Sequence, residues 1–240
     1  SITITANTIS RAYGETDPAL TYSVTQGSLG FTDRLTGVLS RDEGESLGKY
    51  VIRQGTLTNE NNPNYSITFV EGEFTITQRA IGIRAISTSK IYGDIDPILG
   101  YEIISGSTAF DEQLVGSVAR MSGENVGTYT IHTGSVNNAN NPNYIIFFEN
   151  GVFSINQRPI TITPDALKKT YGYDDPEFTF TITQGNLVFE DTVQGKLNRN
   201  AGESTGFYDI TVGTLREENS NYDITLEPVQ FEIEQRLIVI

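Results

Sequence analysis

Acidic side chains are the first residues in this sequence whose type and spacing suit chemistry. Asp17 and Asp33 are candidates for a carboxylate pair that performs general acid and base catalysis. The second position recurs as Glu112 and Asp191. A catalytic interpretation therefore requires three active sites in tandem within 240 residues, and we expect no such pair.

Calcium is the other chemistry that these carboxylates suit, because it prefers hard oxygen ligands. The sequence contains neither the EF-hand spacing nor glycine-aspartate nonapeptides. We expect no cofactor, and calcium binding stays an open alternative. Its best location would be residues 159–236, which carry fourteen acidic and six basic residues, or the junctions between repeats.

Other catalytic groups are sparse. The chain has no cysteine, and its single histidine, His132, lies in a strand-like segment and is interpreted as an exposed strand residue. No Ser–His–Asp set, phosphate-binding glycine loop or metal-ligand cluster occurs. We therefore predict no catalytic, cofactor-binding or metal-binding residues, and no enzyme.

The net charge of −14 argues against two classes of partner. Nucleic acids and anionic lipid surfaces both require a basic face. No run of apolar residues approaches the eighteen or so that a membrane helix needs. We expect neither nucleic-acid binding nor membrane insertion.

The elements that position these residues are three tandem copies of one unit. Tyr-Gly recurs every 79 residues, Asp-Pro follows three residues later, and each copy closes on Gln-Arg. The Tyr-Gly pairs are Tyr13-Gly14, Tyr92-Gly93 and Tyr171-Gly172, and the closing pairs are Gln78-Arg79, Gln157-Arg158 and Gln235-Arg236. The repeats predicted are 1–79, 80–158 and 159–236, and 237–240 is interpreted as the first strand of a truncated fourth, so we expect an internal fragment of a longer array.

Alternating apolar and polar residues predict about six strands in each copy. In the first copy they are residues 2–6, 20–26, 36–40, 50–57, 65–70 and 74–77, with one helical turn near 31–35 and a hairpin turn at Glu71-Gly72. The fold class is mainly β. We expect three small immunoglobulin-like β-sandwiches, each with its own core, and β-grasp-like modules with one short helix each are the alternative.

The shared Tyr-Gly-x-x-Asp-Pro segment is interpreted as a turn in which the Tyr ring caps the core. A sugar-stacking platform is the functional alternative. Two residues before each Tyr lies a basic residue, Arg11, Lys90 or Lys169, that can pair with the Asp of Asp-Pro. At a surface such a pair contributes under about 1 kcal/mol.

Tyr13 to Pro18, the Gly48 to Tyr50 strand, and Asn64 to Ile67, together with their counterparts in the other copies, resemble the MBG domain of the YGX type. The resemblance covers essentially the whole chain. It implies tandem repeats of large, secreted bacterial surface or adhesin-like proteins, and it supplies no catalytic residues. We therefore expect an extracellular structural stalk at the bacterial cell surface.

The junctions favour the same interpretation, since only Gln78-Arg79 separates two strand-like runs and no Gly/Ser linker intervenes. Neighbouring repeats are then the main partners within a monomeric, elongated rod. Three modules would span about 120 Å, with a radius of gyration near 35 Å against about 18 Å for a compact chain. The alternative is direct binding of a glycan or host glycoprotein, with Tyr173 and Phe178 as candidate aromatic contacts.

Overall fold

The computed structural model describes residues 1–239, and the chain is mainly β-stranded. Each repeat contributes seven strands, one more than expected. The first repeat has β1 (Ile2–Ala6), β2 (Ile9–Ala12), β3 (Tyr22–Gln26), β4 (Ser40–Arg41), β5 (Gly48–Arg53), β6 (Ile67–Val70) and β7 (Gly72–Thr77). The second has β8 (Arg79–Ala85), β9 (Thr88–Ile91), β10 (Tyr101–Ser105), β11 (Ala119–Arg120), β12 (Gly127–His132), β13 (Tyr144–Glu149) and β14 (Gly151–Asn156). The third has β15 (Arg158–Pro164), β16 (Lys168–Thr170), β17 (Phe180–Gln184), β18 (Asn198–Arg199), β19 (Gly206–Thr211), α1 (Leu215–Glu218), β20 (Tyr222–Leu226) and β21 (Gln230–Glu234).

The strands of each repeat form one three-stranded and one four-stranded sheet. The orders are β3–β1–β6 and β2–β7–β5–β4, then β10–β8–β13 and β9–β14–β12–β11, then β17–β15–β20 and β16–β21–β19–β18. The pair of sheets confirms the predicted β-sandwich modules. The β-grasp alternative is wrong, because α1 is the only helix in residues 1–239 and the first two repeats lack it.

The opening segment of each repeat is divided between its two sheets. In the first repeat, β1 pairs antiparallel with β3 and parallel with β6, whereas β2 pairs parallel with β7. Asn7 lies between β1 and β2, donates to the Thr21 hydroxyl at 2.9 Å and accepts from Ser23 at 2.9 Å. The first twelve residues therefore tie both sheets together.

The predicted hairpin at Glu71-Gly72 is wrong. β6 pairs with β1 in one sheet and β7 pairs with β2 and β5 in the other, so the chain changes sheet at Glu71. Glycine is required at 72 by close packing, since a Cβ there would lie 2.7 Å from the carbonyl oxygen of Ala6. The helical turn expected near 31–35 is also absent, and Phe31 instead adopts a left-handed φ of 54°.

The core follows the alternation in the strands. Along β1 the apolar residues are buried and the threonines between them are partly exposed. Phe74, Phe153 and Phe231 occupy the same position in the three repeats, and each is fully buried. Burial of one such side chain contributes about 1.5–3 kcal/mol.

By its contacts, the chain divides into two compact units. One comprises Ser1–Ile86, Gly100–Ala119 and His132–Asn150, and the other Ser87–Leu99, Arg120–Ile131 and Gly151–Ile240. Each junction between repeats therefore lies inside a unit. In the first unit one buried cluster includes Ile4 and Phe74 of the first repeat and Ile81, Ile83 and Tyr144 of the second. Contrary to the expectation of separate cores, apolar packing continues across this junction.

Residues Leu237 to Val239 are exposed and carry no strand, and Ile240 lies outside the described residues. The assignment of 237–240 to a fourth repeat, like the other repeat boundaries, stays a prediction.

Candidate functional site at the repeat junctions

The connection between repeats is a single residue. Gln78 alone separates β7 from β8, and its side-chain amide donates to the carbonyl oxygens of Pro142 at 2.9 Å and Tyr144 at 3.3 Å. Gln157 does the same between β14 and β15, with Ser220 at 3.1 Å and Tyr222 at 3.3 Å. The linking glutamine is therefore bound to the following repeat and leaves little freedom for a hinge.

At each of the two junctions, the arginine of the Gln-Arg pair bridges two repeats. Arg79 donates to the carbonyl oxygen of Tyr13 at 3.2 Å and to that of Ser107 at 2.7 Å. Arg158 donates to the carbonyl oxygen of Tyr92 at 3.0 Å and to that of Asn186 at 3.2 Å. The Tyr belongs to the preceding repeat in each case, so one guanidinium holds both sides of the junction.

The Tyr of the first Tyr-Gly pair reaches a carboxylate of the next repeat. Its hydroxyl donates to Glu112 Oε1 at 2.7 Å across a separation of 99 residues. Tyr144 donates to the other oxygen of Glu112 at 2.6 Å and accepts the backbone N–H of Ala109 at 2.9 Å. We name this arrangement of two phenols on one carboxylate the tyrosine clasp.

The second junction repeats the tyrosine clasp. Tyr92 donates to Asp191 at 2.9 Å, again across 99 residues, and Tyr222 donates to the same oxygen at 2.7 Å. The N–H of Val188 is held by the Tyr222 hydroxyl at 3.1 Å. Both Glu and Asp therefore act as the acceptor of the tyrosine hydroxyls at this position.

Aromatic packing surrounds the clasp. The Tyr13 ring meets Phe110 at a centroid distance of 5.5 Å and Tyr144 at 5.9 Å, both edge to face. Tyr92 meets Phe189 at 5.5 Å and Tyr222 at 5.6 Å in the same way. Contacts of this geometry contribute about 0.5–1.5 kcal/mol each beyond the burial of area.

Close approach of the two repeats explains the glycine after each Tyr. Gly14 has a φ of 76°, and a Cβ there would lie 2.2 Å from the Cβ of Ala109. A Cβ on Gly93, at a φ of 84°, would lie 2.5 Å from Val188. Any side chain at these positions would separate the repeats.

The third Tyr-Gly pair supplies an internal comparison. Tyr13 and Tyr92 are 7% and 5% exposed, whereas Tyr171 is 51% exposed, and within residues 1–239 its hydroxyl makes no hydrogen bond. On the acceptor side, Tyr144 and Tyr222 are buried but Tyr65 is only half-buried. Burial of the clasp residues therefore follows from the neighbouring repeat.

The environment of the clasp raises the pKa of its phenols. The hydrogen bond to Glu112, together with burial, raises the pKa of Tyr13 to about 12. Burial, with the hydrogen bond to Asp191, raises the pKa of Tyr222 to about 12. The clasp tyrosines therefore stay protonated as donors throughout the neutral range.

A family model described as MBG domain (YGX type) matches residues 2–75, 81–154 and 160–232. The chain belongs to this family. Comparison with curated proteins and with solved structures gives no significant match. The matches confirm the resemblance drawn from Tyr13 to Pro18 and its counterparts.

Inside each MBG repeat, the predicted pairing of the basic residue with the Asp of Asp-Pro is confirmed. Arg11 contacts Asp17 at 2.6 Å, Lys90 contacts Asp96 at 2.7 Å and Lys169 contacts Asp175 at 2.7 Å. The expectation of a surface pair is wrong, because the three cations are 5–8% exposed.

A second arginine, which sequence reasoning missed, completes this ion cluster. In the second repeat Arg120 lies 2.5 Å from Asp96 and 2.6 Å from Glu124, and its guanidinium lies 4.7 Å from the centre of the Phe153 ring. Hydrogen bonds from Arg120 and then Lys90 lower the pKa of Asp96 to about 2. Arg41 and Arg199 occupy this position in the other repeats.

The two carboxylates first considered as a catalytic pair have different partners. Asp17 is bound by Arg11 and by Arg41, whereas Asp33 accepts the hydroxyl of Tyr65 at 2.6 Å. Asp17 is thus fully engaged with cations. No group of three acidic or histidine side chains arranged for a metal occurs within residues 1–239, and calcium binding stays a prediction.

The remaining sequence candidates lie apart from the junctions. His132 is a half-buried residue of β12 that accepts the N–H of Gly134 at 3.2 Å. Tyr173 is exposed beside Arg236, whereas Phe178 packs against Phe231 with a centroid distance of 5.2 Å. Only Tyr173 of the two proposed aromatic contacts is open to a ligand.

No helix in residues 1–239 is long and apolar enough to span a membrane.

Proposed function

We propose that this chain is a spacer section of a secreted bacterial surface protein, in which the tyrosine clasps hold consecutive MBG repeats at a set distance. MBG repeats occur in surface proteins. The supporting observation is that both junctions use the same donor and acceptor, Tyr13 to Glu112 and Tyr92 to Asp191. A spacer needs junctions of one fixed geometry, and the two junctions of this chain use the same contact.

The contacts at a junction oppose bending. A flexible linker of Gly and Ser would allow the repeats to sample many orientations. Here Gln78 is hydrogen-bonded to the next repeat, Arg79 bridges both sides, and Tyr13 is buried between them. Any hinge motion must break several of these contacts at once.

The same residues argue for a structural role over catalysis. The MBG family is a structural repeat family and not a known enzyme family. The carboxylates at the shared position, Asp33, Glu112 and Asp191, each accept tyrosine hydroxyls. We propose that they act in positioning, and that the chain has no enzymatic activity.

Small-angle scattering extrapolated to zero concentration tests the spacer. We expect a radius of gyration near 35 Å for the wild type, against about 18 Å for a compact chain of this length. The double variant Tyr13→Ala and Tyr92→Ala should stay folded by circular dichroism but show a broader distribution of interatomic distances. A wild-type value close to the compact one would end the spacer proposal.

One observation favours a second candidate function, ligand binding at the second repeat. Ile104, Ile145 and Phe147 are exposed on the sheet β10–β8–β13, and the corresponding residues are Thr25, Ser66 and Thr68 in the first repeat. An exposed apolar cluster that differs between repeats is what a binding role requires. A glycan array with the wild type and Phe147→Thr tests it, and binding lost in the variant would support this function.

A further inference from the structure

The opening segment of each repeat runs parallel to the last two strands of that repeat. In the first repeat β2 pairs with the closing strand β7, from Ile9 beside Phe74 to Ala12 beside Thr77, and β1 pairs with β6. The second repeat has the parallel pairs β9–β14 and β8–β13, and the third has β16–β21 and β15–β20. We name the two parallel pairs of a repeat its strand clamp.

A backbone hydrogen bond extends each strand clamp to the Tyr-Gly pair. The N–H of Tyr13 donates to the carbonyl oxygen of Thr77 at 2.9 Å, and the Thr77 hydroxyl donates to the carbonyl oxygen of Arg11 at 3.2 Å. The backbone bond recurs at 2.9 Å from Tyr92 to Asn156 and from Tyr171 to Glu234. The last residue of the closing strand is therefore bonded to the opening segment in all three repeats.

The direction of these strands decides how a repeat responds to tension. Tension along the chain enters a repeat at the start of its opening segment and leaves at the end of its closing strand. In a parallel pair these two points lie at opposite ends, so the strands must slide along one another and all the bonds between them are loaded together. In an antiparallel hairpin both points lie at the same end, and the bonds break one after another.

We propose that each MBG repeat is a load-bearing unit whose strand clamp resists tension along the chain. Within residues 1–239, Gln78 and Gln157 are the only residues between the closing strand of one repeat and the opening segment of the next. Tension therefore passes directly from one strand clamp to the next, because no flexible linker extends first. This goes beyond the spacer function, since a spacer sets a distance at rest and need not resist force.

Side-chain packing opposes slippage of the strand clamp by a single residue. Such a shift exchanges the two faces of a strand. In β15 it would place Thr161 and Thr163 in the core instead of the buried Ile160 and Ile162. A one-residue slip is therefore not a stable intermediate on the way to release.

The buried cation of each repeat anchors the opening segment. Lys169 lies in the middle of β16, is 7% exposed, and contacts Asp175 at 2.7 Å and Glu203 at 2.5 Å. Sliding of β16 along β21 would pull this ammonium group away from Glu203. Lys90 and Arg11 hold the same position in the other repeats, so the ion cluster adds to the resistance of each strand clamp.

The register of the third repeat indicates the size of the effect. β16 and β21 share three residue pairs, from Lys168 beside Glu232 to Thr170 beside Glu234. Unzipping from one end releases about 6.6 Å of chain for each pair, whereas sliding breaks all three pairs within about 3.3 Å. With equal resistance per pair, sliding requires roughly six times the force of unzipping.

Pulling the third repeat in two directions tests the proposal. The chain has no cysteine, so two introduced thiols define the points of attachment in optical tweezers. Ala166→Cys with Leu237→Cys loads opposite ends of the β16–β21 pair, whereas Asp174→Cys with Leu237→Cys loads the same end. All three residues are exposed, and both variants contain the same strand clamp. The first geometry should require several times the force of the second.

Removal of one bond from the strand clamp provides a second test. Tyr171→Pro deletes the N–H that donates to Glu234, whereas Tyr171→Phe keeps this N–H and serves as the control. Under a fixed force in the first geometry, the proline variant should unfold roughly two- to tenfold faster than the control, which is the factor that one hydrogen bond supplies. Circular dichroism checks that both variants are folded.

Two results would overturn the proposal. One is an equal unfolding force in the two pulling geometries, and the other is a folded proline variant that unfolds under force at the same rate as its control. Scattering measures the distance that the chain sets without load, so either result would leave the spacer function standing.

Discussion

The strongest test of the tyrosine clasp is removal of one hydroxyl. In Tyr13→Phe the ring keeps its edge-to-face contacts with Phe110 and Tyr144, and only the hydrogen bond to Glu112 is lost. A hydrogen bond to a charged group contributes about 1.5–3 kcal/mol. Glu112 retains its bond from Tyr144, so we expect a cost near the lower end, about 1–2 kcal/mol.

The chain contains its own control for this change. Tyr171→Phe removes the same hydroxyl from the same motif, but Tyr171 is 51% exposed and its hydroxyl has no hydrogen bond within residues 1–239. Its cost should stay within about 0.5 kcal/mol, as for other surface substitutions. The difference between the two variants isolates the contribution of the neighbouring repeat.

Urea unfolding and amide hydrogen exchange are the appropriate assays. Exchange gives a local free energy of opening even where three repeats do not unfold in a single transition. The amide of Ala109, bonded to the Tyr144 hydroxyl, reports on the acceptor side of the clasp. Its protection should fall in Tyr13→Phe and stay unchanged in Tyr171→Phe.

The pH dependence of stability gives an independent measure of the burial of Tyr13 and its bond to Glu112 taken together. A free phenol has a pKa of about 10 and that of Tyr13 is about 12, so the unfolded chain releases this proton first as the pH rises. The stability that Tyr13 contributes is therefore present below pH 10 and lost between pH 10 and 12, by roughly 2–3 kcal/mol. In Tyr13→Phe this loss should disappear from the unfolding profile.

A double-mutant cycle completes the test. Tyr13→Phe combined with Glu112→Gln should show a coupling energy of about 1 kcal/mol, because the two groups are in direct contact. Equal stabilities of Tyr13→Phe and Tyr171→Phe, or a coupling near zero, would refute the reasoning that the clasp fixes the junction.

Three further predictions concern the interior of the repeats. Arg120→Met leaves Asp96 and Glu124 with Lys90 alone and should cost about 3 kcal/mol in urea unfolding, whereas Arg53→Met, at an exposed pair, should leave the urea midpoint nearly unchanged. Asn141→Ala removes three hydrogen bonds of a buried amide side chain and should cost about 2–3 kcal/mol, whereas Asn140→Ala, at an exposed residue, should cost under about 1 kcal/mol. Similar thermal midpoints for these two variants would contradict this prediction. The pKa of Asp96 is lowered to about 2, so its contribution to stability should be lost as the pH falls from about 4 towards 2, and an acid unfolding curve of Asp96→Asn with the same slope as the wild type would disprove this.

Local patterns in the sequence predicted most of the strands but missed β2, and they did not predict which strands pair. The alternation in Ile2–Ala6 predicts β1 with its observed bounds. The pairing of β1 with β6 joins residues about 65 apart, and nothing in either segment specifies a parallel contact. The hairpin at Glu71-Gly72 failed for this reason, since a glycine between two strands indicates a turn only if those strands pair.

The glycines that the repeats share can be recognised in the sequence, but the contacts that require glycine at these positions cannot. Gly123 and Tyr129 recur in register in all three repeats, and the structure shows that they touch. A Cβ on Gly123 would lie 2.2 Å from the Tyr129 ring, and the residue has a φ of 145°. The sequence shows that both residues are required and does not show that they pack together.

The tyrosine clasp escaped sequence reasoning because its two halves belong to different repeats. Tyr13 was interpreted as a cap of its own core and Glu112 as a candidate catalytic or calcium ligand. Their separation of 99 residues is 20 more than the repeat length of 79, so register within one repeat cannot pair them. One signal was present in the sequence. The acidic residue (Asp33, Glu112 or Asp191) and the Asn-Tyr pair recur together in every repeat, as the two parts of one acceptor site would.

A phenylalanine with a left-handed backbone conformation lies beside each clasp, and its strain and exposure show which part of the structure stabilises it. Phe110 and Phe189 have φ values of 52° and 54°, a conformation that a folding repeat must stabilise with its own contacts. Phe31 adopts it in the first repeat, where it is fully exposed, so the cost falls on the fold of the repeat and not on docking. A face that is ordered before docking loses less entropy on contact. Replacing Phe31 with Gly should therefore stabilise the first repeat slightly, whereas the same change at Phe110 should weaken the junction through loss of its contact with Tyr13.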